Sequence, residues 1–367
     1  MTVGAGLSLP GLEFATGGTS PAPTDMAIAP QEFLPRLMSD EDLSRGEASQ
    51  FLDWLLDGSA TDAQIAATLI ALKRKGETVE ELAGLAEGMR ARATRINSNH
   101  KLFIDTAGTG SSAAKTFNVS TAAAFVIAAA GLPVAKHGNR AASSKCGSAD
   151  VLAALGVKVS ASRDISEACL NEIGICFMFA PLYHGATARV ASIRRELGVH
   201  TTFNLLGPLT NPAGAPRQII GVWHRDLVEP LARTLALLGT ERAWVVHGED
   251  GLDEVTISGR TFVAEVADGR VRLFDISPKD FGVSAEPLDG LQCLDAQTSA
   301  DMIRAVLSGD RRDGARSLVV LNAAAALIVG GCAGDLSSAA RLVESTIDSG
   351  AATRKLDELV ERTSKDN

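Results

Sequence analysis

From Leu102 onward the chain alternates short apolar stretches with alanine-rich ones, and this rhythm constrains the fold more than any other feature. Leu102–Thr106, Pro133–Lys136, Lys158–Val159, Cys176–Phe179 and Ala243–His247 read as strands. A helix is expected from about Thr121 and another over Ser148–Leu155. Strand–helix alternation predicts an α/β domain with a mainly parallel central sheet. Aromatic residues are only 4% of the chain, while alanine and glycine are abundant. The core must therefore be Ala, Leu, Val and Ile with close backbone approaches, which suits helices packed on such a sheet. Phe262–Val266 and Arg270–Phe274, joined by Asp268-Gly269, predict a β-hairpin. Ser337 to about Arg362 reads as helical.

Residues 31–98 predict a small helical domain. Ser39 is expected to cap a helix carrying Leu43, Phe51, Leu52 and Leu55, which Asp57-Gly58 ends. Thr61 with Gln64 and Thr78 with Glu81 each form a capping box. Between them Ile65, Leu69 and Leu72 make an apolar stripe, and Gly76 closes that helix. Residues 186–211 contain a helix over Val190–Leu197 and a Pro/Gly-rich turn, and are expected to return onto this block. That leaves 99–185 and 212–367 as the α/β domain, with a ligand cleft between the lobes. Residues 1–30, rich in Gly, Ser, Thr and Pro, are expected to be a disordered tail, or translation starts at Met26.

The formal net charge of −9 gives no basic footprint for nucleic acid. No apolar run reaches the roughly 18 residues of a membrane span. The first residues lack the basic and apolar regions of a secretory signal. The five cysteines include no CxxC pair, which predicts free thiols in a reducing cytoplasm.

Two segments carry chemistry. Asp105-Thr-Ala-Gly-Thr-Gly-Ser-Ser112 lies between a strand and a helix. Its glycines let backbone N–H groups converge on an anion, and its hydroxyls add donors. Asn118-Val-Ser-Thr121 follows at a helix start, where free N–H groups and the helix dipole favour phosphate. By itself such a loop is equally a plain tight turn. It has neither a P-loop ending nor Rossmann spacing, so nucleotide hydrolysis and NAD binding fit poorly. The second segment is Lys136-His-Gly-Asn-Arg140, with Ser143-Ser144 and Gly147-Ser-Ala-Asp150. Two cations, an amide and several hydroxyls crowd just past a strand end, the edge of a parallel sheet that carries ligands.

Together these stretches resemble the anthranilate phosphoribosyltransferase family. The resemblance continues through Gln64 to Arg90, Arg194-Arg-Glu-Leu-Gly198, Phe203 to Pro212, His247-Gly-Glu-Asp-Gly-Leu-Asp-Glu254 and Asn322-Ala-Ala-Ala-Ala. It spans about residues 36–360. It implies a helical domain joined to a larger α/β domain, as in nucleoside phosphorylase-type transferases, and a homodimer through the helical domain. It implies transfer of phosphoribosyl from phosphoribosyl pyrophosphate to the amino nitrogen of anthranilate, in tryptophan biosynthesis. Gly108, Thr109, Gly110, Ser111, Ser112, Thr116, Asn118, Ser120, Thr121, Lys136 and Ser148 would hold phosphoribosyl pyrophosphate. Gly108, Asn139 and Arg194 would face anthranilate. Asp253, Glu254 and the Ser120 hydroxyl would hold magnesium.

Two departures stand out. Ser111-Ser112 occupies the place where the family has Gly-Asp, and His184-Gly185-Ala186 replaces His-Pro-Ala, which favours a structural role for His184. Two other readings remain open. A pyrimidine nucleoside phosphorylase would share the fold, but its loop resembles Lys-His-x-x-Gly-Arg. A non-catalytic nucleic-acid-binding relative would lose active-site residues and gain basic surface, whereas this chain keeps Asp253-Glu254.

Overall fold

A computed structural model of the chain describes residues 29–110, 114–140, 146–293 and 295–365. The expected N-terminal tail, apart from Ala29 and Pro30, lies outside the described residues, as do Ser111, Ser112, Ser143 and Ser144. The chain opens with helices α1 (Phe33–Met38), α2 (Arg45–Leu56), α3 (Asp62–Lys75) and α4 (Val79–Arg92). The boxes at Thr61 and Thr78 form as their spacing predicts, and Gly76 ends α3 at φ +88°. The cap of α2 is Ser44, whose side chain makes a reciprocal box with Glu47. Ser39 instead lies at the C-terminal end of α1, so the sequence reading misplaced this helix start by five residues. Ser44 has a glutamate three positions on, which closes the box; Ser39 has Asp42, one methylene shorter.

Seven strands form one sheet: β1 (Ile104–Asp105), β2 (Val134–Gly138), β3 (Ile175–Phe179), β4 (Arg217–Gly221), β5 (Arg242–Gly248), β6 (Thr261–Ala267) and β7 (Arg270–Ile276). Their order is β3-β2-β1-β4-β5-β6-β7. The first five run parallel, and β6 and β7 add an antiparallel edge. The β6–β7 turn has Asp268 at φ +51° and Gly269 at φ +70°, the backbone of the two-residue hairpin that Asp-Gly favours. Lys158–Val159 forms no strand; it is part of a turn. A lysine and a valine are too short a signal to pair, and the flanking Gly156 (φ +97°) bends the chain away. Strand β4 went unread because it opens on Arg217 and Gln218, which leaves Ile219 and Ile220 as its only large apolar residues.

Helices α5 (Val119–Ala129), α6 (Ser148–Ala154), α7 (Arg163–Ala168) and α8 (Ala180–Tyr183) accompany the first strands. Helices α9 (Ala188–Leu197) and α10 (Phe203–Leu209) precede β4, and α11 (Val228–Leu237) connects β4 to β5. Helices α12 (Ala296–Leu307), α13 (Gly314–Val329), α14 (Leu336–Asp348) and α15 (Ala351–Ser364) close the chain, with Gly350 at φ +70° breaking the expected C-terminal helix in two.

The two faces of the sheet belong to different cores, by the alternation of side chains along each strand. Ile219, Trp244, Val246 and Val263 join α5 and α12–α15. Ile220, Ala243, Val245 and Ala264 join α11 and the N-terminal helices, with Val190 and Ile193 of α9 and Leu205, Leu206 and Leu209 of α10 in the same cluster. Among the described residues no helix is long and apolar enough to cross a membrane.

Candidate active site

A cavity of 380 Å³ opens at the C-terminal ends of β1, β2, β4 and β5. Chain order reverses beside β1, which has β2 on one side and β4 on the other. Loops there diverge and leave room for a ligand. Gly108, Thr109, Gly110, Thr116, Asn118, Ser120, Lys136, Asn139, Ser148, Arg194, Asp253 and Glu254 all line it. Thr121 does not. One step further along α5, its hydroxyl turns inward and is buried without a partner. His184 does not line it either; its buried ring lies against His137, with centroids 5.1 Å apart.

Asp105, at the end of β1, is 1% exposed and organises the floor. Its carboxylate accepts from the N–H groups of Ala107 (3.1 Å) and His137 (3.2 Å) and from Asn211 Nδ2 (2.7 Å). Burial pushes its pKa up, and the nearby Lys136 charge opposes this. Lys136 is itself 4% exposed. Its Nζ donates to Thr106 O (3.2 Å), Thr106 Oγ1 (3.1 Å) and Ser120 Oγ (3.4 Å). Desolvation lowers its pKa, while Asp105 and Glu254 act to keep the ammonium. A buried ammonium aimed between two hydroxyls gains most from an arriving anion.

The loop after β1 rests on Gly221. Thr109 donates to Gly221 O from its N–H (2.9 Å) and its hydroxyl (3.1 Å). A Cβ on Gly221 would stand 1.6 Å from Asp253 O, so only glycine lets the acidic segment lie this close to β4. Asn322 of α13 holds the other side of that segment, accepting from Val255 N–H (2.9 Å) and donating to Val255 O (2.9 Å). The Glu254 pKa is pushed up to about 8, by burial first and by Asp253 next, against Lys136 and the Ser120 N–H. A cation beside this pair would restore its carboxylates. Among the described residues no group of three or more His, Cys, Asp or Glu side chains is placed to hold a metal. Two carboxylates and a hydroxyl suit a hard cation whose remaining ligands are water and substrate oxygens.

The opposite wall comes from α9 and α10. Arg194 Nε donates to Thr201 Oγ1 (3.0 Å) and Nη2 to Asn204 Oδ1 (3.0 Å). The guanidinium lies 5.4 Å from the centroid of the Phe203 ring. It makes no carboxylate ion pair among the described residues, and burial lowers its pKa. A positioned, uncompensated guanidinium beside an aromatic ring fits a planar carboxylate. Arg195, the adjacent cation, is exposed and does not line the cavity. Asn139 Oδ1 accepts from Arg140 N–H (2.8 Å), which leaves its NH2 as a donor. His137 Nδ1 lies 3.1 Å from Gly207 O, so it carries the proton of a neutral ring, and burial holds the pKa at about 4.

Thr106, His137, Phe203, Asn204 and Gly221 also line the cavity and were not singled out as site residues from the sequence. Gly221 had a usable signal, a glycine ending an apolar run. Phe203 and Asn204 lie in the family-like stretch Phe203 to Pro212, but nothing local shows which way they point.

Residues 31–93 match the helical bundle domain of the glycosyl transferase family and residues 100–353 its a/b domain, which sets the class of this chain. An anthranilate phosphoribosyltransferase of Moorella thermoacetica is 50% identical over 325 residues, 89% of this chain and 96% of that protein. One from Myxococcus xanthus is 49% identical over 332 residues, 90% of this chain and 98% of its own. The crystal structure of the Thermus thermophilus enzyme covers 90% of this chain and 99% of its own, with a TM-score of 0.85 at 37% identity. The Saccharomyces cerevisiae enzyme, in complex with PRPP and Mg, has a TM-score of 0.83 at 25% identity, covering 91% of this chain and 98% of its own. This chain belongs to the anthranilate phosphoribosyltransferase family.

Proposed function

We propose that the chain transfers the phosphoribosyl group of phosphoribosyl pyrophosphate to the amino nitrogen of anthranilate, releasing pyrophosphate, in tryptophan biosynthesis. The observation that carries this is one cleft holding two unlike anion sites. A helix start, a glycine loop and buried Lys136 stand on one side, and Arg194 with its free donor face beside Phe203 on the other. A phosphoribosyl donor needs the first and an aromatic carboxylate acceptor needs the second.

In this reading Gly108, Thr109, Gly110, Thr116, Asn118, Ser120, Lys136 and Ser148 hold the phosphates, and the N–H groups at the start of α5 add their dipole. Ser111 and Ser112, which lie outside the described residues, follow Gly110 in the chain and are assigned to the same phosphates. Thr121, whose hydroxyl is buried and makes no hydrogen bond among the described residues, is not assigned to the ligand. Asn139 and Arg194 orient anthranilate, with Gly108 leaving room between the substrates. Asp253, Glu254 and the Ser120 hydroxyl hold magnesium, which when bound neutralises charge on the pyrophosphate. Lys136 stabilises the same charge as the anomeric C–O bond breaks and the C–N bond forms. The arylamine is neutral at pH 7 and needs no strong base to attack. The amine proton leaves after bond formation, and the released pyrophosphate can take it. Holding both substrates in line accounts for much of the rate.

The domains follow the same division: 31–98 with 186–211, and 99–185 with 212–367. A homodimer through the helical domain and a cytoplasmic location complete the reading. Met38 of α1 and Ile70 of α3, both exposed apolar side chains, support the former. The test is loss of anthranilate fluorescence in the presence of phosphoribosyl pyrophosphate and magnesium. Phosphorolysis of thymidine in place of that activity would favour the nucleoside phosphorylase alternative and refute this one.

A further inference from the structure

Asn118 stands at the N-cap of α5, yet its side chain does not cap the helix. An Asn in that position ordinarily turns its amide oxygen onto the first N–H groups of its own helix. Here the oxygen is engaged elsewhere. Asn118 Oδ1 accepts from the Ser299 hydroxyl (2.8 Å) and, more weakly, from the Cys146 thiol (3.4 Å). The backbone N–H of Asn118 donates to Ser299 Oγ (3.1 Å). Ser299 lies on α12 and is fully buried. The segment leading into α12 holds the preceding residue too, since Phe117 N–H donates to Leu291 O (2.9 Å).

These bonds form a directed ring. The Asn118 N–H occupies a lone pair of Ser299 Oγ, and the hydroxyl proton is then offered to Asn118 Oδ1. A flipped amide would set its NH2 against Ser299 Oγ and against the Cys146 sulfur. Ser299 would then face two donors, and its own proton would lose its acceptor. An amide has one accepting and one donating end. Fixing Oδ1 on α12 therefore sends the NH2 the other way, and Asn118 lines the cleft.

We propose that Ser299 is a positioning residue that locks the Asn118 amide with its NH2 toward the phosphates of the donor substrate. The proposal rests on the phosphoribosyl-transfer reading given above. A flipped amide would present a carbonyl to an anion, replacing attraction with repulsion. Ser299 itself touches no substrate; it acts through Asn118, and the helix forgoes its side-chain cap in exchange.

The probe is inorganic pyrophosphate, titrated calorimetrically into the full chain with magnesium. Ser299→Ala is expected to weaken binding about tenfold, the order of one hydrogen bond to a charged group. Asn118→Ala is expected to lose a similar factor, and adding Ser299→Ala to it changes nothing more. In steady state Ser299→Ala raises KM for phosphoribosyl pyrophosphate and leaves KM for anthranilate and kcat near their native values. Additive losses in the double variant, or equal rises in both KM values, overturn the proposal and make Ser299 a packing residue. Where Ser299→Ala does not fold, Ser299→Cys keeps the size with a weaker donor. An intermediate pyrophosphate affinity then supports the lock, and a native affinity overturns it. Pyrophosphate binding needs no acceptor. Native-like binding by the unaltered chain without anthranilate turnover would thus remove the assigned reaction and leave the orientation intact. A chain that binds no pyrophosphate removes both.

Discussion

Replacing Gly221 by alanine puts one methyl group where the backbone of the acidic segment already lies. The residue ends a strand, and its φ is one that alanine adopts freely, so the local conformation costs little. The conflict is with Asp253, whose carbonyl oxygen would be 1.6 Å and carbonyl carbon 2.5 Å from the new Cβ. Contacts to a Cβ essentially never fall below 3.0 Å, so the two backbones must separate by at least about 1.4 Å. Asn322 grips Val255 from the far side through two bonds of 2.9 Å, and β4 is paired with β1 and β5. The displacement therefore falls on Asp253 and Glu254. A shift of about 1 Å in a catalytic constellation costs on the order of a hundredfold in rate. Overpacking of this kind costs about 1–3 kcal/mol in stability. The expectation is a kcat/KM roughly a hundredfold lower in the anthranilate fluorescence assay, with more magnesium needed for half-maximal rate and the fold retained. Gly259→Ala is the control, because its Cβ meets only the flexible end of Glu249. A Gly221→Ala enzyme with native kcat/KM and an unshifted magnesium requirement would refute the argument.

Three further outcomes follow from the site. Asp253→Asn with Glu254→Gln should lower turnover by roughly two orders of magnitude at limiting magnesium while the melting temperature holds; near-native turnover there would remove the metal assignment. Arg194→Ala should raise KM for anthranilate by the equivalent of about 1.5–3 kcal/mol and leave KM for phosphoribosyl pyrophosphate nearly unchanged, while Arg195→Ala changes neither KM. Equal losses for both substrates in Arg194→Ala would point to structural damage instead. His184, buried against His137, has its pKa held at about 4 by desolvation first and next by the repulsion two protonated rings would exert on each other. An unfolded histidine titrates near 6.5, so below that pH the unfolded chain binds a proton that the native chain refuses. The stability that depends on the neutral ring is thus complete above about pH 6.5 and is lost as the pH falls toward 4. Between pH 7 and 4.5, His184→Gln should lose roughly 2 kcal/mol less stability in urea titrations than the native chain does. Parallel losses in the two proteins would show that His184 is not the group responsible.

What the sequence determined by itself was set by local rules. Gln64 and Glu81 lie three residues after a threonine, which is all a capping box needs, and both boxes form. Asp268-Gly269 specifies a tight turn through its own backbone preferences, and the hairpin follows. The strand–helix rhythm gave the parallel sheet, and with it the edge where a ligand binds. The same local rules misplaced the start of α2, where two serines compete and one methylene decides, and admitted Lys158–Val159 as a strand too short to pair. Tertiary structure decided everything that depends on residues far apart in the chain. Gly221 matters because Asp253 crosses it, Arg194 is primed because Thr201 and Asn204 hold its edge, and Thr121 is withdrawn because α5 turns it inward. Ser299 meets Asn118 across 181 residues, a pairing with no trace in either neighbourhood. Side-chain direction and partner identity are properties of packing, and packing is fixed only when the two cores close on the sheet.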